Sequence, residues 1–396
     1  MNKSQVAIVK GPAKPNPKEI EASVRKAVEL VHGLEDIKKG DVVLIKPNIC
    51  AVAKPGSAAF TNPLVSKAVA DLVIERGGRA IIGEASGVAD ITEEAIQADG
   101  YGELRNAGYE VIDLKGKDIV FQKVPVPQGK ALKELSVPEI VMKAKLIVSV
   151  PVMKTHPMGV TLAIKNMKGV LPDNIKKKFH TVYGVTQSVI DMMTAINPGL
   201  AVVDGILAME GVGPMLGTPV EMGIIIAGKD VVSVDAVAGA AMGFAPEEVP
   251  IIDGAGKAGI GISDLKNIEI VGTPLNAVKR RFKRCKEGIE ETFHYPEGFK
   301  LIIEEKACTG CRESVLGALS ELENQKKLDS LKGWTVIVGQ TKNIPQCDKS
   351  KLLIVGNCNS KYKDRGIFVE ACPPWPWQVI NGFTGEASDP WNLKRL

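Results

Sequence analysis

Aromatic residues make up only 5% of this 396-residue chain, and histidine occurs four times. With a net charge of +4 at pH 7, that composition supplies neither the stacking platform nor the basic face that nucleic acids require. No run reaches the roughly 20 apolar residues of a membrane span, and residues 1–10 contain no apolar signal core. The expectation is a cytoplasmic protein with reduced thiols and with neither nucleic acid nor membrane as a partner. Walker loop, serine elbow and dinucleotide fingerprint are also missing, because Gly211-x-Gly213 has no third glycine opening a helix. There is no internal repeat and no low-complexity tract.

What is present is ordinary globular composition, 45% apolar and 24% charged, in a chain long enough for two or three domains. Short apolar runs at 5–9, 41–45 and 80–83 read as buried strands, and 20–34 and 62–76 between them carry helical periodicity. Further helices are expected over 92–107, 186–196 and 231–242. Strands are expected over 110–114, 118–127, 145–150, 200–203 and 222–227. This alternation predicts an α/β fold, a mostly parallel sheet covered by helices on both faces. The turn Tyr295-Pro296-Glu297-Gly298 places a boundary near residue 295. It divides the chain into an α/β domain with a polar crevice, 1–295, and a smaller Cys-rich α/β domain, 296–396.

Polar groups follow the strands: Lys46-Pro47-Asn48, Glu84-Ala85-Ser86, Lys154-Thr155-His156 and Asp204-Gly205. Ligands of open α/β sheets bind outside the carboxyl ends of the strands, so these groups should face one crevice. Any one of them alone is as well explained by solvation of a turn. Around them stand Thr161, Lys165, Asn166, Lys168, His180, Glu210, Gly211 and Gly213. The basic members suit a carboxylate or phosphate ligand. Lys46, Lys154, His156, Lys165 and Asp204 are the candidates for chemistry, His156 handling protons. Asn48, Glu84, Ser86, Thr161, Asn166, Lys168, His180, Glu210, Gly211 and Gly213 are the candidates for binding. A divalent metal among the carboxylates and histidines is conceivable, but no spacing here is diagnostic of one.

Five of the seven cysteines lie in the last quarter: Cys308, Cys311, Cys347, Cys358 and Cys372. Strands are expected there over 301–305, 334–338, 352–355 and 367–369, with a helix over 313–323. Cys308, Cys358 and Cys372 each follow a strand, so in a parallel sheet they meet at one edge with Cys311. The positive end of the helix should favour Cys308 and Cys311 as thiolates. Soft sulfur ligands select an iron-sulfur cluster or zinc. A dithiol redox pair and plain buried thiols are the other options. The wide gaps after Cys311 match neither a zinc ribbon nor a plant-type ferredoxin, and Cys372-Pro373 tips the reading towards a cluster because proline follows a ligand cysteine in bacterial ferredoxin runs. Cys347 is either a spare thiol or the fourth ligand in place of Cys358. Cys50 and Cys285 read as ordinary thiols.

Lys46-Pro47-Asn48, Lys154-Thr155-His156 with TLAIKNMKG behind it, Asp204-Gly205, Glu210-Gly211-x-Gly213-Pro214 and Ser233-x-Asp235 resemble the prokaryotic family called domain of unknown function 362. The resemblance spans about residues 5 to 275 and implies a cleft in a redox setting, without naming a substrate. Members are often described as iron-sulfur proteins, many with a Cys-x2-Cys-x2-Cys-x3-Cys-Pro run. This chain lacks that run, so a cluster must use the tail cysteines. The first reading is a 4Fe-4S oxidoreductase or electron-transfer protein that meets a small anionic substrate or a redox partner protein. The alternative is a non-redox, metal-assisted enzyme acting on a phosphorylated or carboxylated metabolite, with structural zinc or free thiols in the tail. A binding module without chemistry is the third option, and homo-oligomerisation is left open.

Overall fold

In the first unit, β-branched and apolar runs bounded by turn residues form a sheet of ten strands. The structure, a computed structural model, describes residues 3–88, 90–292, 294–304 and 307–385. Chain contacts divide it into one unit ending at Gly288 and a second beginning at Ile289. The turn at 295–298 therefore lies inside the second unit.

Along the first unit run strands β1 (Ser4–Lys10), β2 (Val42–Pro47), β3 (Arg79–Glu84), β4 (Glu110–Asp113), β5 (Phe121–Pro125) and β6 (Glu134–Pro138). They are followed by β7 (Leu146–Val150), β8 (Val152–His156), β9 (Gly159–Thr161), β10 (Leu200–Glu210), β11 (Thr218–Gly228) and β12 (Ile268–Gly272). The sheet order is β12-β1-β11-β10-β7-β2-β3-β4, with β8 beside β10 and β9 beside β8. Pairing is parallel except where β11 meets β1 and β10 and where β9 turns back on β8. The sheet is therefore mixed and mostly parallel.

Alternate residues of the strands enter two different cores: Val6, Ile8 and Leu44 one, Ala7, Val9, Val43 and Ile45 the other. That is the mark of a sheet buried on both faces. Helices Pro17–Leu30 and Pro63–Glu75 cover one face, and Val185–Ala195, Val231–Ala241 and Pro250–Lys257 the other. Asn16 starts the first helix with a capping box to Glu19.

Several expectations need correction. The helix foreseen over 92–107 is two, Thr92–Ala98 and Tyr101–Asn106, because Gly100 sits at φ 83°, a left-handed conformation that interrupts the first. The extra segment near 118–127 is β5, which pairs with β6 as a separate two-stranded sheet. The hairpin β8–β9 was hidden inside the Lys-Thr-His motif. Its strands are too short for a periodic signal.

The second unit contains β13 (Lys300–Ile303), β14 (Thr335–Val338), β15 (Leu352–Val355) and β16 (Ile367–Val369), all parallel and in sequence order. Residue 305, the end of the strand foreseen there, lies outside the described residues. Helix Thr309–Asn324 begins at Cys308 and is longer than the pattern over 313–323 implied. Among the described residues no helix is long and apolar enough to cross a membrane.

Candidate functional site

At the carboxyl edge of the first sheet, β2 delivers Lys46 and β3 delivers Glu84 into the interior, 0% and 2% exposed, with Nζ and Oε2 2.8 Å apart. The other Lys46 protons go to the Pro47 carbonyl at 2.5 Å and Asn166 Oδ1 at 3.0 Å. Glu84 also accepts from the Ile49 and Ala85 N–H groups. Asn166 donates to the Lys46 carbonyl and to Ser149 Oγ, closing the network. Burial holds the Lys46 ammonium below its ordinary pKa, and Glu84 pulls it partly back. With three protons and three acceptors, Lys46 has none left for a ligand. Gly169 packs directly on this pair: a Cβ there would fall 2.6 Å from Lys46 Nζ and against Glu84 Oε1. The Lys-Pro-Asn, Gly-Glu and Lys-Asn-Met-Lys-Gly motifs thus meet in one buried joint.

Lys154 and His156 project from β8 and are buried. Lys154 Nζ donates to the Ala59 carbonyl at 2.7 Å and lies 3.9 Å from Cys50 Sγ. His156 Nδ1 accepts from the Met158 N–H, which leaves Nε2 carrying the proton of the neutral ring. Lys165 and Lys168 are half-buried. Asn48 pairs its backbone with Thr61, and Ser86 donates its hydroxyl to the Ile49 carbonyl. Neither Asn48 Oδ1 nor Thr161 Oγ1 has a hydrogen-bond partner, although both are buried. Asp204 accepts from the Asn62 and Ile206 N–H groups, and burial pushes its carboxyl up to about 6.

Other foreseen residues pack around Thr155 and the 280s segment, the Gly211 carbonyl accepting from the Thr155 hydroxyl at 3.0 Å. Glu210 accepts from the Lys283 N–H, and Gly211, at φ 75°, donates to the Lys283 carbonyl. Gly213 leaves no room for a side chain over the Thr155 carbonyl. These three hold the 280s segment against β10. His180 lies in the π-helical turn Phe179–Tyr183, and its side chain is outside the described residues.

Sequence reasoning missed several groups. The Cys50 thiol, raised by burial, feels Lys154, Asp90, Glu84 and Lys165, so it belongs to the crevice. The loop after β3 is stapled by two ammonium groups. Lys176 donates to the Ala85 and Ser86 carbonyls, and Lys115 to the Gly87 and Asp90 carbonyls and Asp173. Burial brings Lys176 down to about 7 and Asp90 up to about 6. Asp235, pushed up to about 7 by burial, accepts from the Ala163 and Ile164 N–H groups and so aims the segment that carries Lys165. The position of Cys50, two residues beyond Asn48, and the Ser233-x-Asp235 motif were the usable signals. The two staple lysines come from helices and loops that carry no motif.

In the second unit, Cys308, Cys311, Cys358 and Cys372 stand on neighbouring loops, within reach of one another's charge. Gly356, at φ 89°, has no side chain where a Cβ would lie 2.9 Å from Cys311 Sγ and 3.8 Å from Cys358 Sγ. The Gly356 and Asn357 N–H groups donate to the Val369 and Ala371 carbonyls, tying the Cys358 loop to the Cys372 loop. A Cβ on Gly310 would fall 2.9 Å from Pro373 Cβ, so the Cys308–Cys311 turn packs against the residue after Cys372. The Cys311 N–H points at Cys308 Sγ, 3.4 Å away. Cys311 is raised far above the ordinary thiol range by its hydrogen bond to Cys308, by burial, and by Cys308, Cys358 and Cys372. Cys358 is pushed to about 11 by burial, Cys308 and Cys372. These influences on Cys311 act against the anionic form, opposite in direction to the helix start. Cys347 is exposed, near the Pro345 carbonyl, and is not among the groups that shift Cys311 or Cys358.

Residues 43–240 match the family described as Domain of unknown function (DUF362). Over 247 residues the chain is 29% identical to a thylakoid-associated protein of Synechocystis sp., a match covering 60% of this chain and 75% of that protein. Among solved structures, the lactate racemase apoprotein from Thermoanaerobacterium thermosaccharolyticum aligns with a TM-score of 0.36 and 13% identity. That alignment covers 58% of this chain and 54% of the racemase, so the chain spans about half of its length.

Proposed function

The chain belongs to the domain of unknown function 362 family, and from that premise we propose that it is an iron-sulfur protein, an oxidoreductase or electron-transfer protein. In this reading Cys308, Cys311, Cys358 and Cys372 hold a 4Fe-4S cluster, and the crevice of the first unit receives a small anionic substrate or a redox partner. The observation that carries it is the meeting of the Cys311 and Cys358 sulfurs beside the open face of Gly356, with Cys308 and Cys372 near enough to raise both thiols. Three loops from three strand ends are stitched together there, and a side chain on Gly356 would fill the space between two sulfurs.

The proline after Cys372, as in a ferredoxin-type ligand, supports a cluster over zinc. Tetrahedral zinc at about 2.3 Å from each sulfur draws its ligands to within about 4 Å of one another. Among the described residues no three His, Cys, Asp or Glu side chains already stand close enough to hold a metal ion, so either centre would draw the thiols together on loading. A cluster carries one iron per thiolate and spreads its ligands more widely. When bound it supplies one-electron transfer at a potential set by charge, hydrogen bonds and exposure.

The chain's own groups supply the rest. Thiols with raised pKa values must lose their protons on loading, so iron uptake strengthens as pH rises. Lys165 and Lys168 draw an anion to the crevice, Lys154 offers it an ammonium, and His156 holds or moves a proton at Nε2. Lys46, Glu84, Asn166, Asp204 and Asp235 position these groups. Substitutions test the ligand set directly. Cys308→Ser and Cys358→Ser should each abolish iron retention in oxygen-free preparations, whereas Cys347→Ser should keep it. Full iron in either of the first two variants rejects the assignment. Colourless protein containing zinc would favour the non-redox reading instead.

A further inference from the structure

Residues 49–61 form a compact loop over the crevice. Its ends are tied together, the Thr61 N–H donating to the Asn48 carbonyl and the Asn48 N–H to Thr61 Oγ1, both at 2.9 Å. Close ends and a body of about a dozen residues define an Ω-type loop. The apex, Val52, Lys54, Pro55 and Gly56, is exposed, while Ala58 and Ala59 turn in against Met209.

A few contacts fasten this loop down. Lys154 Nζ donates to the Ala59 carbonyl at 2.7 Å, the Ala53 N–H donates to Asp99 Oδ1 at 3.1 Å, and Cys50 Sγ lies 3.3 Å from Met215 Sδ. Within the loop, the Ser57 N–H donates to the Lys54 carbonyl. Ala58 is held at φ 59°, a left-handed conformation unfavourable for a residue with a Cβ.

Around the latch are buried oxygens with nothing to accept from. Asn48 Oδ1, Asp99 Oδ2 and Thr161 Oγ1 have no hydrogen-bond partner, and all three residues are more than nine-tenths buried. Thr161 lies directly opposite Lys154 across β8 and β9, so the two side chains share one face. Asp99 is near enough to Lys154 to feel its charge. Buried polar atoms are normally satisfied, and three left open on segments that meet the loop or its latch, Asn48 at the loop's start, Asp99 bonded to Ala53 and Thr161 opposite Lys154, point to a missing guest. An ammonium next to open acceptors fits a molecule with an anionic oxygen and hydroxyl protons. An anionic oxygen also binds an ammonium about twice as strongly as a neutral carbonyl does.

We propose that residues 49–61 are a lid latched by the Lys154–Ala59 hydrogen bond, and that a small hydroxylated anion opens it by taking the Lys154 ammonium. The inference rests on reading the crevice as an anion site. It adds the class of ligand and the motion that admits it.

Hydrogen exchange on the full chain tests this, with glycerol 3-phosphate as the hydroxylated anion and sulfate as an anion without hydroxyl protons. Binding of each is scored separately by calorimetry. Saturating glycerol 3-phosphate should speed exchange of the Ala53 and Ser57 amides about tenfold, with a smaller effect of sulfate. Lys154→Met should exchange fast without ligand and show no further response. Circular dichroism checks that this variant folds, and the wild-type titration stands without it. If glycerol 3-phosphate binds and the loop amides do not respond, the lid is overturned while the crevice reading survives. If neither anion binds, the crevice reading falls and the lid with it.

Discussion

Replacing Glu84 by Gln removes one negative charge from the most buried ion pair of the first unit while keeping the size of the side chain. The Lys46 ammonium is then left 0% exposed with neutral acceptors only, Pro47, Asn166 and the new amide. Breaking a buried pair by removing one partner typically costs about 3–5 kcal/mol, because an uncompensated charge stays behind. The amide also has one acceptor oxygen where the carboxylate served Lys46, Ile49 and Ala85 with two. Urea unfolding should therefore show a loss at the upper end of that range. The assay can be made specific, since all four tryptophans lie at 334 or beyond. Their fluorescence follows the second unit, and circular dichroism follows both. A shift in circular dichroism without a matching shift in fluorescence locates the damage in the first unit. Pairing the change with Lys46→Met in a double-mutant cycle should reveal coupling of about 2–3 kcal/mol. A cost below about 1 kcal/mol for Glu84→Gln, with additive effects in the cycle, would refute the view of Lys46 as a positioning group.

The pH profile offers a second test. Asp235 is raised by burial to about 7, so the folded state holds its proton more tightly than the unfolded chain does. Its stabilising contribution is complete below about pH 4 and is lost as pH rises through about 7. Asp235→Asn should flatten that part of the urea-midpoint profile of the first unit, and an unchanged slope between pH 5 and 7.5 would show that Asp235 is not the source. Gly169→Ala should cost at least about 2 kcal/mol, because the new methyl meets both members of a buried pair that has no space to retreat. A variant as stable as the wild type would mean that the joint is looser than its distances indicate. Gly356→Ala should lose iron and destabilise the second unit by about 1–2 kcal/mol or more, from the left-handed backbone and the crowded Cys311 sulfur. Retained iron would show that the thiols do not converge on that space.

Strand positions in both units were legible because buried parallel strands leave short apolar runs between turn residues. That Cys308, Cys358 and Cys372 lie on loops at one edge followed from that topology, since strand ends of a parallel sheet share an edge. What the chain did not disclose has physical reasons. The break at Gly100 depends on a backbone conformation that periodicity does not register. The antiparallel course of β11 was hidden because a strand buried on both faces reads the same in either direction. Lys46 looked like a catalytic lysine because motif position says nothing about how many of its protons are already taken. Lys115 and Lys176 went unnoticed because they act on carbonyls, which have no sequence signature. Spacing could not tell Cys347 from Cys358 because it carries no exposure: Cys347 is exposed, and Cys358 lies near the Gly356 face that Cys311 also borders.

The central claim concerns the centre held by the second unit, and iron with acid-labile sulfide per chain, measured on protein purified without oxygen, addresses it most directly. The account predicts about four of each in brown protein with broad visible absorbance. Iron-free, colourless protein, with or without one equivalent of zinc, would contradict it.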